Sequence, residues 1–238
     1  MITKNQIKFI KSLKLKKNRL KHQLFIVEGE KNVKELLDSD YKFINIYATK
    51  YWINHNREIN AINVTSNELK YISNQTNPNE VLAIVKINNY KNFSKSGVIL
   101  VLDEINNPGN MGTILRICDW FGIYNIVCSN NTVDIYNPKV VQASMGSIFR
   151  VRVVYTNLLD YLLKVNTPVY GAFLDGENVR KISFPKNFHL VVGNEANGIS
   201  ENITSLISKK VSIPNFSRKI DSLNVAVATS IFLHEISN

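Results

Sequence analysis

Apolar positions along the chain recur with two different periods. Short strand-like runs at Leu24–Val27, Phe43–Ala48, Ala61–Val64 and Val81–Ile87 alternate with helix-spaced segments: one capped by Thr3 and reaching Ser12, one carrying Val33, Leu36 and Leu37, and one capped by Ser66 and reaching Ile72. The spacing predicts a small α/β unit over residues 1–88. From residue 98 the strands are almost wholly apolar, as in parallel sheets buried on both faces: Val98–Leu102, Asn125–Cys128, Arg152–Tyr155, Val169–Leu174, His189–Val192 and Val211–Ile213. Helix-spaced segments at Met111–Phe121 and from about Ser222 to Glu235 complete a second α/β unit, expected over 98–238. Residues 89–97, rich in Asn, Lys and Ser, have the composition of a linker.

Composition adds exclusions. With 45% hydrophobic residues in 238, the chain can build a core and is neither collagenous nor of low complexity. No apolar run is long enough for a membrane span and the first twenty residues lack a signal-peptide core, so a cytoplasmic protein is expected. Cys118 and Cys128 lack CxxC spacing and His22, His55, His189 and His234 are scattered, which predicts buried thiols and no metal site.

Charge changes the picture more. Of the net +10, residues 1–95 hold 17 Lys+Arg against 8 Asp+Glu, and residues 96–238 hold 12 against 11. Eight cations precede the first acid, Glu28, and Lys14, Lys16, Lys17, Arg19 and Lys21 are the densest group. Such a field attracts a polyanion, and nucleic acid is the expected partner. Skewed codon usage explains abundant lysine but not its segregation.

Candidate chemistry lies in the second unit, where three strand ends run into polar loops: Asn107-Pro108-Gly109-Asn110-Met111-Gly112 leading to Arg116, then Gly193-Asn194-Glu195-Ala196-Asn197-Gly198, then Ile213-Pro214 through Ser222-Leu223-Asn224. Ligands of open α/β sheets bind beyond the carboxyl ends of strands. Singly, the loops read as a helix start, a tight turn and an N-cap by Ser222 on a helix apolar enough for a core or an interface. No GxGxxG follows either first strand, which disfavours dinucleotide oxidoreductases and the common Rossmann methyltransferases.

Taken together and in this order, the three loops resemble those of the SpoU (TrmH-like) RNA ribose 2′-O-methyltransferases of the SPOUT superfamily, over residues 99–235. Phe25-Ile26-Val27-Glu28-Gly29, followed by Val33 and Leu36-Leu37, resembles the small substrate-binding domain of many members. The resemblance implies a carboxy-terminal parallel sheet with helices on both faces, ending in a trefoil knot that holds S-adenosylmethionine. It also implies a homodimer acting on structured RNA, ribosomal or transfer, with no role for DNA or a membrane. By position it assigns Asn110, Arg116, Glu195, Ser222 and Asn224 to catalysis. Cofactor contacts fall to Leu174, Gly176, Gly193, Asn194, Gly198, Ile213 and Leu223, the glycine at 193 letting main chain approach the ligand.

Arg116 is the expected base in one reading and a clamp on phosphate and developing alkoxide in the other. Guanidinium, with a pKa above about 12, favours the clamp. Glu195 is expected to orient Arg116 or to bond the substrate. Two positions depart from the pattern: Ala196 replaces a common glycine, and Asn215–Asp221 lacks the usual Met and Gly. The alternative is an RNA-binding module of the same fold in ribosome assembly, without catalysis, which the presence of all five polar positions disfavours.

Overall fold

The computed structural model describes residues 2–88, 96–217 and 219–237. The linker expected at 89–97 lies, except for residues 96 and 97, outside the described residues. Contacts divide the chain into one unit of Met1–Asn89 with Asp134–Phe149 and another of Tyr90–Val133 with Arg150–Asn238.

In the first unit, Thr3 and Gln6 form a reciprocal capping box that starts α1 (Lys4–Ser12), and α2 (Lys16–His22) stops on left-handed Gln23. Strand β1 (Leu24–Glu28) is buried along its length and turns at Gly29, φ 88°, into α3 (Glu30–Leu37). Then come β2 (Phe43–Ala48), α4 (Lys50–His55), the short β3 (Ile62–Asn63), α5 (Ser66–Ile72) and β4 (Val81–Lys86). The cap of α5 is Thr65, not the expected Ser66, because Glu68 then falls at the third helical position and returns a bond to the Thr65 amide. The sheet runs β1-β4-β2-β3, with β4 antiparallel to both neighbours. Ile10, Leu13, Leu24, Ile26, Tyr47, Leu69, Ile72 and Leu82 form its core.

The second unit begins with β5 (Val98–Leu102) and α6 (Pro108–Trp120), which starts before the expected Met111 because Asn107 caps it and Pro108 occupies its first turn. After β6 (Asn125–Ser129) the chain leaves for α7 (Pro138–Ser144), which belongs to the first unit, and returns at β7 (Arg152–Thr156). There follow α8 (Leu158–Leu162), β8 (Val169–Asn178), β9 (Phe188–Val192), α9 (Glu201–Thr204), β10 (Lys209–Ser212) and α10 (Val225–Ser237). All six strands are parallel, in the order β10-β8-β9-β5-β6-β7, as the unbroken apolar runs require. Strand β8 extends past Leu174 because Gly176 admits β10: a Cβ there would lie 2.5 Å from the Val211 carbonyl carbon. Helix α10 packs on α6.

The excursion explains one misplaced cation. Arg19 is 2% exposed: its Nη2 lies 2.6 Å from Asp134 Oδ2, and its Nη1 donates to the Leu13 and Lys14 carbonyls. Arg19 is therefore a buried, paired residue and not part of the surface cluster, which keeps Lys14, Lys16, Lys17 and Lys21. Both cysteines are buried free thiols, and burial raises their pKa. Among the described residues no helix is long and apolar enough to cross a membrane.

Candidate active site

The site is built at the carboxyl ends of the neighbouring strands β5 and β9, where each loop is held by its own polar side chains. After β5, Asn107 Oδ1 accepts from the amides of Gly109 (2.8 Å) and Asn110 (3.2 Å), which turns the chain into α6 and fixes Asn110 in its first turn. After β9, Gly193 begins a closed turn in which Asn194 and Gly198 exchange two main-chain bonds of 2.9 Å, with Gly198 at φ 68°. A Cβ on Gly193 would lie 2.2 Å from the Gly198 carbonyl carbon. The turn's own main chain is thus enough to demand the glycine.

Asn194 ties the two loops together: its Oδ1 accepts from the Ala196 and Asn197 amides, and its Nδ2 donates to the Glu104 carbonyl at 2.8 Å. Three positions absent from the sequence-based site support this junction. Asp103, buried at the end of β5, accepts from the Ser200 amide and hydroxyl at 2.9 and 2.7 Å; Glu104, at φ 57°, receives Asn131 on its carboxylate; Asn107 supplies the cap. A buried acid directly after an apolar strand is the signal that marks Asp103.

The third loop joins through Asn224. Its Oδ1 accepts from the Ala226 (3.0 Å) and Val227 (3.4 Å) amides, so Asn224, not the expected Ser222, caps α10; Ser222 is exposed and lies before the helix. The Asn224 Nδ2 then donates to Asn110 Oδ1 at 3.0 Å, and Asn110 Nδ2 donates to Glu195 Oε1. Three segments far apart in sequence meet in one hydrogen-bonded line, Asn224 to Asn110 to Glu195.

Arg116 is exposed on α6 and makes no hydrogen bond or ion pair among the described residues. Glu195 does not orient it: the Glu195 oxygen with a protein partner is engaged by Asn110. Of the expected cofactor positions, Leu174 is 76% and Leu223 49% exposed, and Ile213 is half-buried. Strands β8 and β9 pair with Gly171 opposite Val191, which puts Leu174, within β8, nearly level with Gly193, just past the end of β9. Ile213 also lines a cavity of about 470 Å³ with Phe121, Arg180, Phe216, Ile231 and His234.

A second cavity, of about 460 Å³, sits at the opposite, amino ends of the strands, beside Ile99, Tyr161 and His189. There the His189 ring is held by the Tyr161 and Thr167 hydroxyls, each at 2.9 Å, and burial pulls its pKa down to about 4. Both imidazole nitrogens are thereby engaged inside the protein.

Comparison with known proteins places these features. Residues 97–234 match the model of the SpoU rRNA Methylase family, and residues 4–83 match an MRM3-like substrate binding domain. The chain is 29% identical to the 23S rRNA (guanosine(2553)-2′-O)-methyltransferase RlmP of Bacillus subtilis, over 98% of this chain and 96% of that one. A TrmH-family structure from Porphyromonas gingivalis superposes with a TM-score of 0.91 at 36% identity, covering 99% and 98% of the two chains. An AdoMet-bound rRNA methyltransferase from Sinorhizobium meliloti does so with a TM-score of 0.87 at 27% identity, covering 99% and 95%.

Proposed function

The chain belongs to the SpoU rRNA Methylase family, and from that premise we propose how its own residues carry out the family's reaction. It is an S-adenosylmethionine-dependent methyltransferase acting on a ribose 2′-hydroxyl of RNA. The observation that carries the reading of the site is the line Asn224–Asn110–Glu195, which joins all three loops beyond β5, β9 and β10.

The carboxyl ends of β8, β9 and β10 fit the cofactor. Leu174 and Leu223 present uncovered apolar side chains, which an adenosine ring would shield from water, and the tight Gly193–Gly198 turn offers main chain with little side-chain bulk. Asn194 and Gly198 shape that turn, Ile213 follows β10 half-buried, and Gly176 keeps β10 in place. When bound, S-adenosylmethionine supplies a methyl group already made electrophilic by its sulfonium.

What the chain must add is alignment and charge. Asn110 is gripped from both sides, so its amide is fixed before RNA arrives. Glu195 Oε2, which has no hydrogen-bond partner among the described residues, accepts the bond from the ribose 2′-hydroxyl. Ser222, exposed next to Leu223, steadies the ribose. Arg116 takes a phosphate in a bidentate grip and stabilises the alkoxide as the ribose proton passes to Glu195 Oε2; the guanidinium holds its own proton throughout.

We further assign ribosomal RNA as substrate and the cytoplasm as the place of action. The similarity to a 23S rRNA enzyme along nearly the whole chain and the substrate-binding domain match support the first. A homodimer is supported by Trp120, 86% exposed on α6. The return of Ile213–Asn224 to Asn110 supports the trefoil knot. Tritiated methyl transfer into RNA from cells lacking this protein tests the function: label should appear in nucleotides resistant to alkaline cleavage. Binding of that RNA with no incorporation would identify a non-catalytic module.

A further inference from the structure

A second polar cluster lies in the amino-terminal unit and shares no residue with the methyl-transfer site. Asn32, in the first turn of α3, is 3% exposed. Its Nδ2 donates to the Glu28 carbonyl and to Gln142 Oε1, both at 3.2 Å. Two acceptors on that side fix the orientation of the amide, and they leave Asn32 Oδ1 buried with no hydrogen-bond partner, the one such side-chain atom among the described residues. Native folds satisfy nearly all buried polar atoms, so an orphan acceptor points to a donor that comes from elsewhere.

The neighbours of Asn32 are held in place with polar atoms to spare. Gln142 Oε1 also accepts from Gln75 Nε2 at 2.7 Å. Gln75 sits on the loop after α5, and that loop is anchored by the buried Glu28 carboxylate, which accepts from the Ser73 hydroxyl and from the main-chain and side-chain amides of Asn74. Gln142 Nε2 and Gln75 Oε1 make no hydrogen bond among the described residues. Gln142 thus keeps a donor and Gln75 an acceptor, on two amides linked to Asn32 through Gln142 Oε1. Glu30, in the first turn of α3, makes this edge unfit for phosphate. Neutral amides of this kind suit a base edge.

We propose that Asn32, Gln75 and Gln142 form a reading site for an unpaired adenine or cytosine of the RNA substrate. Both bases place an amino donor next to a ring-nitrogen acceptor on the Watson–Crick edge, and single-stranded RNA exposes that edge. Gln142 Nε2 donates to the ring nitrogen, and the amino group goes to Gln75 Oε1 and, as the Gln142 amide swings outward, to Asn32 Oδ1. The site is composite: α7, which supplies Gln142, comes from the excursion between β6 and β7. This inference rests on the RNA-methyltransferase reading for its ligand, but base reading and methyl transfer are separable.

Dimethyl sulfate probing separates them, since it modifies N1 of adenine and N3 of cytosine only where those atoms are free. RNA from cells lacking the protein is probed with the full chain bound, without cofactor. Wild type should protect at least one unpaired adenine or cytosine. With Gln142→Ala and Gln75→Ala, each at surface-accessible positions, that base should become reactive again and RNA binding should weaken about tenfold. Gln75→Ala should melt at the wild-type temperature, and Gln142→Ala, which removes an acceptor of the buried Asn32 amide, somewhat below it while remaining folded. Protection unchanged in both variants, or no protected adenine or cytosine with wild type, overturns the proposal. Failure of methyl incorporation alongside intact, variant-sensitive protection would instead count against the enzymatic reading alone.

Discussion

The two units use polar side chains in opposite ways. In the amino-terminal unit, which carries most of the excess positive charge, the most constrained charged groups face inward: Arg19 closes on Asp134, and the Glu28 carboxylate pins the loop after α5. In the less charged carboxy-terminal unit, Glu195 and Asn224 stand exposed beside half-buried Asn110, bonded into a line, with Arg116 unpaired among the described residues. In the proposed function, net charge marks where RNA is attracted, and fixed geometry at the surface, made mostly of neutral amides, marks where it is processed.

The largest way to test this contrast is to break an inward pair. Asp134→Ala leaves the Arg19 guanidinium buried with only two carbonyl acceptors, and removing one partner of a buried ion pair costs about 3–5 kcal/mol. Urea unfolding should show that loss, because Asp134 belongs to the unit whose core it completes. A change below about 1 kcal/mol, the range of exposed pairs, would mean that Arg19 is solvated and the contrast is false.

The complementary break is Arg116→Ala. An exposed, unpaired side chain contributes little to folding, so unfolding should be unchanged while methyl transfer falls by about 10²–10³-fold, as for loss of a transition-state donor. Cofactor affinity, measured by calorimetry, should stay within a few-fold. Collapse of cofactor binding would show that Arg116 shapes the pocket and that its proposed role is wrong.

Legibility in the sequence followed the range of the interactions concerned. Strand β5 was readable because its cause is local, five apolar residues; periodicity began α6 late, at Met111, although the Asn-Pro-Gly helix start that sets its true beginning is equally local. The three loops were readable as motifs, but their bonding was not, since Asn110 and Asn224 are 114 residues apart. Local alternatives produced the small errors. Ser222 and Asn224 are both good caps, and the choice falls to Asn224 because its other amide atom reaches Asn110. Gly193 is required by a contact five residues downstream, with the Gly198 main chain, which the motif alone does not show. Division at the linker assigns residues 134–149 to the second unit, whereas their contacts lie with the first; Arg19 and Asp134, 115 residues apart, carry no sequence mark of their pairing.

The smallest effect concerns the cations that remain outside. Lys14, Lys16, Lys17 and Lys21 are exposed, and as solvated charges they are expected to act on RNA through counterion release, not through shape. Replacing all four with Gln should leave urea unfolding and the methyl-transfer rate at saturating RNA near wild type. The slope of log affinity against log salt should flatten by about 0.7–0.9 for each lysine that touches phosphate. Arg19 must be excluded from the set, since its loss would mix the folding defect with the binding one. A wild-type slope in the fourfold variant would move the attracting surface to other lysines of the same unit, with Lys4, Lys8 and Lys11, all exposed on α1, as the next group to neutralise.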